Sequence, residues 1–320
     1  MELTKQRLLL TGGAGFIGSH LAERLVVAGN TVVIYDSLHR DSLQYTPGLC
    51  EHPAVRIVSG NVLDATSLQQ ATVGCDIMVH LAAIAGVSSY HTLPTQTLKV
   101  NILGTINALE AAKATGLRRF VDVSTSECYG PSCFAAQEEH NHVIGPVQDR
   151  RWTYALSKLV SEHFTLYLGQ EYEMACVTVR PFNIYGPRQT GEGAVANFCR
   201  AIVRGEPLKV TGDGTAIRAW CYVDDFVDGM MAILQKSHLT GETFNLGNPK
   251  CIRSTRGLAE DLVRLTGGQA HIEHTPMPYT EIQVRTPSID KARELLRFEP
   301  QITLEEGLRR TLDWFYKVQS

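Results

Sequence analysis

Tyr154 and Lys158 stand four residues apart in the run Tyr154-Ala155-Leu156-Ser157-Lys158, a spacing that puts both side chains on one face of a helix. A free phenol titrates near about pH 10, and a cation within a few ångströms stabilises the phenolate and lowers that value. Such a pair suits removal of a proton from a sugar hydroxyl while hydride leaves the same carbon for a nicotinamide. The spacing is common by chance, so it gains meaning only beside a cofactor site. Gly12-Gly13-Ala14-Gly15-Phe16-Ile17-Gly18 offers one. Glycines at 12, 15 and 18 let the backbone turn tightly and approach a pyrophosphate, whose charge meets the free N–H groups and positive end of a helix. Asp36 follows about 20 residues on, where a carboxylate binds the adenosine ribose hydroxyls. Its charge repels a 2′-phosphate, which favours NAD over NADP. A lysine-bearing phosphate loop is excluded, because Ser19 and His20 follow Gly18 where that motif needs Lys.

Elements of the right kind surround these groups. Short β-branched runs alternate with longer helical patterns through the first half of the chain, which predicts β-α-β units and a Rossmann-type, doubly wound parallel sheet of the α/β class. Strands are expected at 7–11, 31–35, 55–59, 77–81, 120–124 and 175–180, and helices at 16–28, 65–71, 94–115 and 153–171, with Gly29 ending the first helix. These strands read as continuous apolar runs, the mark of a sheet covered on both faces. Beyond Arg180 the texture turns Pro- and Gly-rich, with shorter helices at 197–203 and 254–265. The expected division is a dinucleotide-binding domain at 1–181, rejoined by about 220–248, and a smaller α/β substrate lobe at 182–320.

Composition narrows the function classes. With 320 residues, 30 Lys+Arg against 33 Asp+Glu and 44% hydrophobic residues, the chain is an ordinary globular protein. It lacks the basic excess of a nucleic-acid binder. No run reaches the roughly 18 apolar residues of a membrane span, nor the roughly 7 to 15 of a secretory signal after Lys5 and Arg7. The 8 cysteines are scattered without a C-x-x-C pair, so reduced thiols and a cytoplasmic setting are expected, with no metal.

Taken together, the chain resembles the extended short-chain dehydrogenase/reductase family, and within it the nucleotide-sugar epimerase/dehydratase group, over nearly its whole length. The residues that carry the likeness are TGGAGFIGSHL, Asp36, His80-Leu81-Ala82-Ala83, Asn101 to Thr105, Ser124-Thr125-Ser126-Glu127-Cys128-Tyr129-Gly130, Tyr154 and Lys158, RPFNIYGPRQ, GDGTAIRAWCYVDD and FNLGN. The resemblance implies NAD retained through the catalytic cycle and held by Gly12, Gly15, Phe16, Ile17, Gly18, Asp36, Asn61, Val62, Leu81, Ala82, Ala83, Tyr154 and Lys158. It implies Thr125 beside Tyr154 at the reacting hydroxyl. Ser126, Cys128, Asn183, Arg218 and Arg285 fall at substrate-binding positions, the arginines suited to a diphosphate by their planar fork. A nucleotide sugar, with a UDP-hexosamine foremost, is the implied substrate. A homodimer through the helices at 94–115 and 153–171 is the implied assembly.

All members of the group are expected to oxidise the sugar at C4 first. Simple 4-epimerases usually carry small neutral residues where this chain has Ser126-Glu127. A carboxylate at 127 adds a second base, placed by the motif to take the C5 proton made acidic by the C4 ketone. Loss of the C6 hydroxyl as water then yields a 5,6-alkene, so the expected activity is 5,6-dehydration of UDP-N-acetylglucosamine, of the kind found in antibiotic biosynthesis. The rival expectations are 4,6-dehydration of another nucleotide hexose, decarboxylation of UDP-glucuronate, for which Thr-Ser-Glu is also the pattern, and 4-epimerisation. A cofactor-sensing module without turnover is disfavoured by the intact Tyr154 and Lys158. Most glucose-nucleotide 4,6-dehydratases have Asp where Ser126 stands, which leaves Ser126, a water or Glu127 itself to assist the departing hydroxyl. Cys128 is expected in packing, with a role beside C6 as the alternative. His80 is expected near the cofactor, His140 and His142 in a solvated loop, and Asp224-Asp225 as a helix cap.

Overall fold

A computed structural model of the chain describes residues 3–277 and 279–319. Seven parallel strands form its central sheet in the order β12-β7-β5-β4-β1-β2-β3: β1 (Arg7–Thr11), β2 (Thr31–Asp36), β3 (Val55–Ser59), β4 (Ile77–His80), β5 (Arg119–Val123), β7 (Ala175–Pro181) and β12 (Glu242–Leu246). The order reverses beside β1, the switch point at which doubly wound sheets bind nucleotides. Leu8, Leu9 and Leu10 of β1 are all fully buried, as a strand covered on both faces requires, and each such side chain contributes about 1.5–3 kcal/mol by leaving water. Leu8 and Leu10 join the core beneath α1 (Phe16–Val27) and α9 (Val223–Gln235); Leu9 joins the core beneath α3 (Ala65–Thr72) and α6 (Gly104–Ala114).

The remaining helices are α2 (Pro47–Cys50), α4 (Val87–Thr92), α5 (Pro94–Leu98), α7 (Trp152–Glu171), α8 (Ala194–Val203), α10 (Thr255–Leu265), α11 (Asp290–Leu296) and α12 (Leu304–Gln319). The single helix expected over 94–115 is divided: a π-helical turn at Lys99–Leu103 separates α5 from α6. The added residue in that turn brings Asn101 to the loop after β4, where its Oδ1 accepts from Ile84 N at 2.8 Å and its Nδ2 donates to Ser157 Oγ of α7 at 2.9 Å. Hydrophobic periodicity does not distinguish this insertion from a continuous helix.

A smaller layer holds a four-stranded sheet in the order β13 (Ile252–Ser254), β10 (Ile217–Ala219), β15 (Val284–Pro287), β6 (Ser132–Ala136). Two strand pairs, β8 (Ile184–Tyr185) with β11 (Cys221–Tyr222) and β9 (Leu208–Thr211) with β14 (Ile272–Thr275), complete it. β6 leaves the first half of the chain to enter this layer, and β12 leaves the second half to pair with β7, so the two layers exchange strands. All 8 cysteines are free thiols. No helix among the described residues is long and apolar enough to cross a membrane.

Candidate active site

The dinucleotide loop is shaped by close approach. Gly12 has φ +70°, and a Cβ there would lie 2.6 Å from Ala82 N, directly after β4. A Cβ on Gly18 would lie 2.6 Å from Gly12 O, so the third glycine lets α1 rest on the turn that precedes it. Gly15 caps α1 without a side chain, leaving Phe16, Ile17 and the first-turn amides for an anion. Asp36 Oδ2 accepts from Ala14 N at 3.0 Å and Oδ1 from Leu38 N at 2.8 Å, which fixes the carboxylate at the end of β2. Asn61 and Val62 follow β3: Asn61 O accepts from Tyr35 OH at 3.0 Å, and Val62 O accepts from Asn107 Nδ2 at 2.9 Å. Leu81, Ala82 and Ala83 form the wall opposite, with Leu81 N donating to Thr11 O at 2.9 Å. This cradle fits the pyrophosphate and adenosine ribose of NAD. Gly12→Ala, which adds both a backbone clash and a strained φ costing roughly 1–2 kcal/mol, should lower NAD affinity about tenfold or more; a cofactor titration checks it, and unchanged affinity would place the dinucleotide elsewhere.

Tyr154 and Lys158 lie one turn apart on α7. Thr125 caps the short 3₁₀ turn Ser126–Tyr129, its Oγ1 accepting from Glu127 N at 3.2 Å, and its hydroxyl lies close enough to the Tyr154 phenol to favour the phenolate. Tyr90 of α4 stacks on Tyr154, ring centroids 5.7 Å apart and planes nearly parallel at 7°. The expected lowering of the phenol's pKa is corrected by the geometry. Burial, then the Glu127 charge, raise Tyr154 above the usual phenol range, with Cys128 and Asp122 adding and only the Thr125 hydrogen bond opposing among these neighbours. Lys158, 1% exposed, places its Nζ 3.5 Å from Asp122 Oδ1 on β5, so part of its charge is spent on a carboxylate.

Glu127 is the carboxylate of the pocket. Arg151 Nη2 reaches its Oε1 at 3.0 Å and Arg285 Nη1 at 3.4 Å. Burial raises its pKa, but the guanidinium groups of Arg151, Arg285 and Arg218 outweigh that and hold the carboxyl below its ordinary value. Arg218 and Arg285 are register partners across β10 and β15. Burial and the Arg285 charge pull Arg218 down to about 9. Arg285 Nη2 also contacts Asn183 Oδ1 at 3.5 Å, and Asn183, at φ +42°, donates its Nδ2 to Ala219 O at 2.9 Å. Glu127 Oε2, Arg151 Nε and Arg285 Nε are buried without a hydrogen-bond partner among the described residues. The structure therefore brings Thr125, Glu127, Tyr154, Asn183, Arg218 and Arg285 into one cluster.

Cys128 and Ser126 stand differently. Cys128 is fully buried, its Sγ 3.6 Å from Glu162 Oε1 and 3.7 Å from Ala155 O, and burial pushes its thiol well up. It offers no surface to a sugar, so the substrate-contact expectation gives way to packing beneath the 3₁₀ turn. Ser126, in the same turn, is 2% exposed. The cap expected of Asp224-Asp225 is also corrected. Tyr222 precedes α9 without a side-chain cap, and Asp225 instead accepts from Gln301 N at 2.9 Å and Ile302 N at 3.0 Å, anchoring the approach to α12. His80 is fully buried, its Nδ1 2.7 Å from Thr11 Oγ1 and its Nε2 3.1 Å from Thr105 Oγ1; burial, then the Lys158 charge, bring it down to about 3. His140 Nδ1 accepts from Gln137 N at 3.3 Å in its loop.

Four residues of the site were not singled out by sequence: Tyr90, Arg151, Glu162 and Arg180. Glu162 of α7 pairs with Arg180 at 2.6 Å and accepts from Ser124 Oγ, while Arg180 Nη1 donates to Tyr129 OH at 2.8 Å, so one buried ion pair supports both ends of the 126–129 turn. Arg151 had a usable signal, since it precedes Tyr154 by three residues, a helical neighbour spacing.

A model of the NAD dependent epimerase/dehydratase family matches residues 8–247. A UDP-N-acetyl-alpha-D-glucosaminuronate decarboxylase of Bacillus cytotoxicus is 35% identical over 326 residues and covers 99% of each chain. Among solved structures, an epimerase from Methanothermobacter thermautotrophicus aligns with TM-score 0.91 at 33% identity, covering 99% of this chain and 94% of that one. A UDP-glucuronic acid 4-epimerase from Bacillus cereus, in complex with UDP-glucuronic acid and NAD, aligns with TM-score 0.89 at 29% identity, covering 98% and 99%. The glycine cradle, the carboxylate at the end of β2, the Tyr154 and Lys158 helix and this family match agree: the chain belongs to the NAD-dependent epimerase/dehydratase family, with NAD as its cofactor.

Proposed function

We propose that the chain oxidises a UDP-linked sugar at C4 and then acts at C5, with 5,6-dehydration of UDP-N-acetylglucosamine as the leading reaction. The observation that carries this reading is Glu127, a half-buried carboxylate kept ionised by Arg151 and Arg285 two residues from Thr125, which lies beside Tyr154. NAD, when bound, supplies the oxidant at C4 and returns the same reducing equivalent. Tyr154 and Thr125 hold the C4 hydroxyl and take its proton. Glu127 takes the C5 proton, acidic beside the ketone, and the same proton serves the departing C6 hydroxyl, so one carboxylate closes the elimination. Arg218 and Arg285 would hold the diphosphate.

Decarboxylation of a UDP-hexuronate is the second reading. Three guanidinium groups surround the single Glu127 carboxylate, which leaves positive charge for a sugar carboxylate, and the Bacillus cytotoxicus relative is a decarboxylase by name. Incubating the purified chain separately with UDP-N-acetylglucosamine, UDP-N-acetylglucosaminuronate and UDP-glucuronate, with products read by mass, decides. Loss of water from the first supports dehydration; loss of CO₂ from a uronate alone transfers the assignment to decarboxylation. Unchanged sugar throughout overturns both.

We also infer a homodimer through the helical face that carries Leu103, Leu156 and Tyr167, which are 48%, 41% and 57% exposed. Sedimentation of the purified chain should give twice the monomer mass; a monomer at micromolar concentration removes the inference.

A further inference from the structure

Three loops meet at the mouth of the glycine cradle. In the central sheet β1 lies between β2 and β4, so the segments that follow β2 and β4 flank the loop that follows β1. Neighbouring strands lie about 4.8 Å apart, which puts roughly 10 Å between the ends of β2 and β4. Arg40, four residues beyond β2, spans that gap: its Nη1 donates to Ala85 O at 2.9 Å and its Nη2 to Ser89 Oγ at 2.8 Å, in the stretch from the end of β4 into α4. A contact between those two segments passes over the carboxyl end of β1, where the glycine loop begins. Ser42 holds the Arg40 segment to that loop, its N donating to Ala14 O at 2.8 Å.

A third segment closes the group. Glu192, between β8 and α8, accepts from Ser88 N at 2.8 Å with Oε2 and from Ser89 Oγ at 3.0 Å with Oε1, and Arg40 Nη2 stands 3.6 Å from the same Oε1. Ser42 Oγ donates to Arg188 O at 2.8 Å, a second tie between the same loops. The backbone leaves room for the pair. A Cβ on Gly191 would lie 3.0 Å from Arg40 Nη1, and one on Gly86, at φ +109°, would lie 2.8 Å from the Glu192 carboxyl carbon. Arg40 and Glu192 keep 39% and 33% of their side-chain surface exposed, so the pair adds little to the stability of the fold and is weakened by salt. Its place, joining three loops around the cradle, is what calls for a role.

We propose that Arg40 and Glu192 form a latch over the glycine cradle, joining the segments after β2, β4 and β8 so that bound NAD leaves only when the pair opens. The cradle and Asp36 supply affinity; the latch supplies retention. Retention is what the C4-oxidation reading asks for, since the hydride taken from the sugar must return from the same dinucleotide. The latch itself rests on NAD as the cofactor and not on that reading.

The test measures release of NAD from the loaded full chain, mixed without sugar into an excess of etheno-NAD, a fluorescent analogue that reports exchange as it binds. Arg40→Ala and Glu192→Gln should each release NAD about three- to tenfold faster than the wild type, the range for losing one half-exposed charged contact. Glu192→Gln keeps the size of the side chain and carries the measurement should the arginine variant not fold. The double variant should be no faster than the quicker single one, because either change opens the same latch. Raising salt from about 0.01 M to about 1 M, which shortens the screening length from about 30 Å to about 3 Å, should speed release more in the wild type than in either variant. Arg118→Gln removes another exposed ion pair, with Asp76 at 2.8 Å, at the opposite ends of β4 and β5, and its release should match the wild type. Unchanged release in the Arg40 and Glu192 variants overturns the proposal, as do fully additive effects in the double variant, an equal salt response in wild type and variants, or an equal acceleration in Arg118→Gln. Because no sugar is present, faster release in variants of a chain inert toward every nucleotide sugar would uphold the latch and overturn the C4 reading instead.

Discussion

Glu127→Gln should abolish product formation while leaving oxidation at C4 in place. The amide keeps the size and the hydrogen-bonding edge of the carboxylate but cannot accept a proton, and loss of a positioned base typically costs about a hundredfold to ten-thousandfold. With substrate in D₂O, the wild type should exchange or transfer the C5 hydrogen and the variant should not, while NADH absorbance still rises in the variant. Equal loss of both steps would mean that Glu127 organises the first one. The charge environment adds a pH signature. Because Arg151, Arg285 and Arg218 hold the carboxyl below its ordinary value against the cost of burial, Glu127 stays ionised through neutral and mildly acidic pH. The step at C5 should therefore show no acid limb above about pH 5, and a limb near neutrality would identify a different base. The same contacts stabilise the fold above the unfolded carboxyl value of about 4.3 and fade as pH falls below it.

Tyr154→Phe should reduce turnover by about a thousandfold or more, since the proton from the C4 hydroxyl then has no acceptor in reach of Thr125. NAD binding should survive, because the glycine cradle and Asp36 lie on other elements. Turnover of the variant within tenfold of the wild type would transfer the role of base to another group.

The elements that carry the cofactor were legible because they are written locally. Strands at Arg7–Thr11 and Val55–Ser59 fall where the apolar runs place them, and the glycine loop announces its own close approach. Within the stretch at about 220–248 expected to rejoin the first domain, β12 pairs with β7 of the large sheet. The acidity of Tyr154 was not legible, since it sums distances to Glu127, Cys128 and Asp122 that only the folded chain sets. A lysine four residues from a tyrosine states proximity along a helix, and says nothing of the carboxylate waiting for that lysine on a strand 36 residues earlier. The π-helical turn at Lys99–Leu103 escaped for a related reason: one added residue shifts the aim of Asn101 without disturbing the apolar pattern.

The strand that leaves the first half of the chain for the smaller layer has a consequence for synthesis on the ribosome. β6 follows the Glu127 turn directly, and its sheet neighbour is β15, the strand that carries Arg285. A nascent polypeptide that has emerged only as far as β7 already owns every strand bordering the glycine loop. It still lacks the neighbour that fixes β6 and one of the two guanidinium groups that contact Glu127. The strands that border the glycine loop are therefore made about a hundred residues before Arg285 completes the contacts of Glu127.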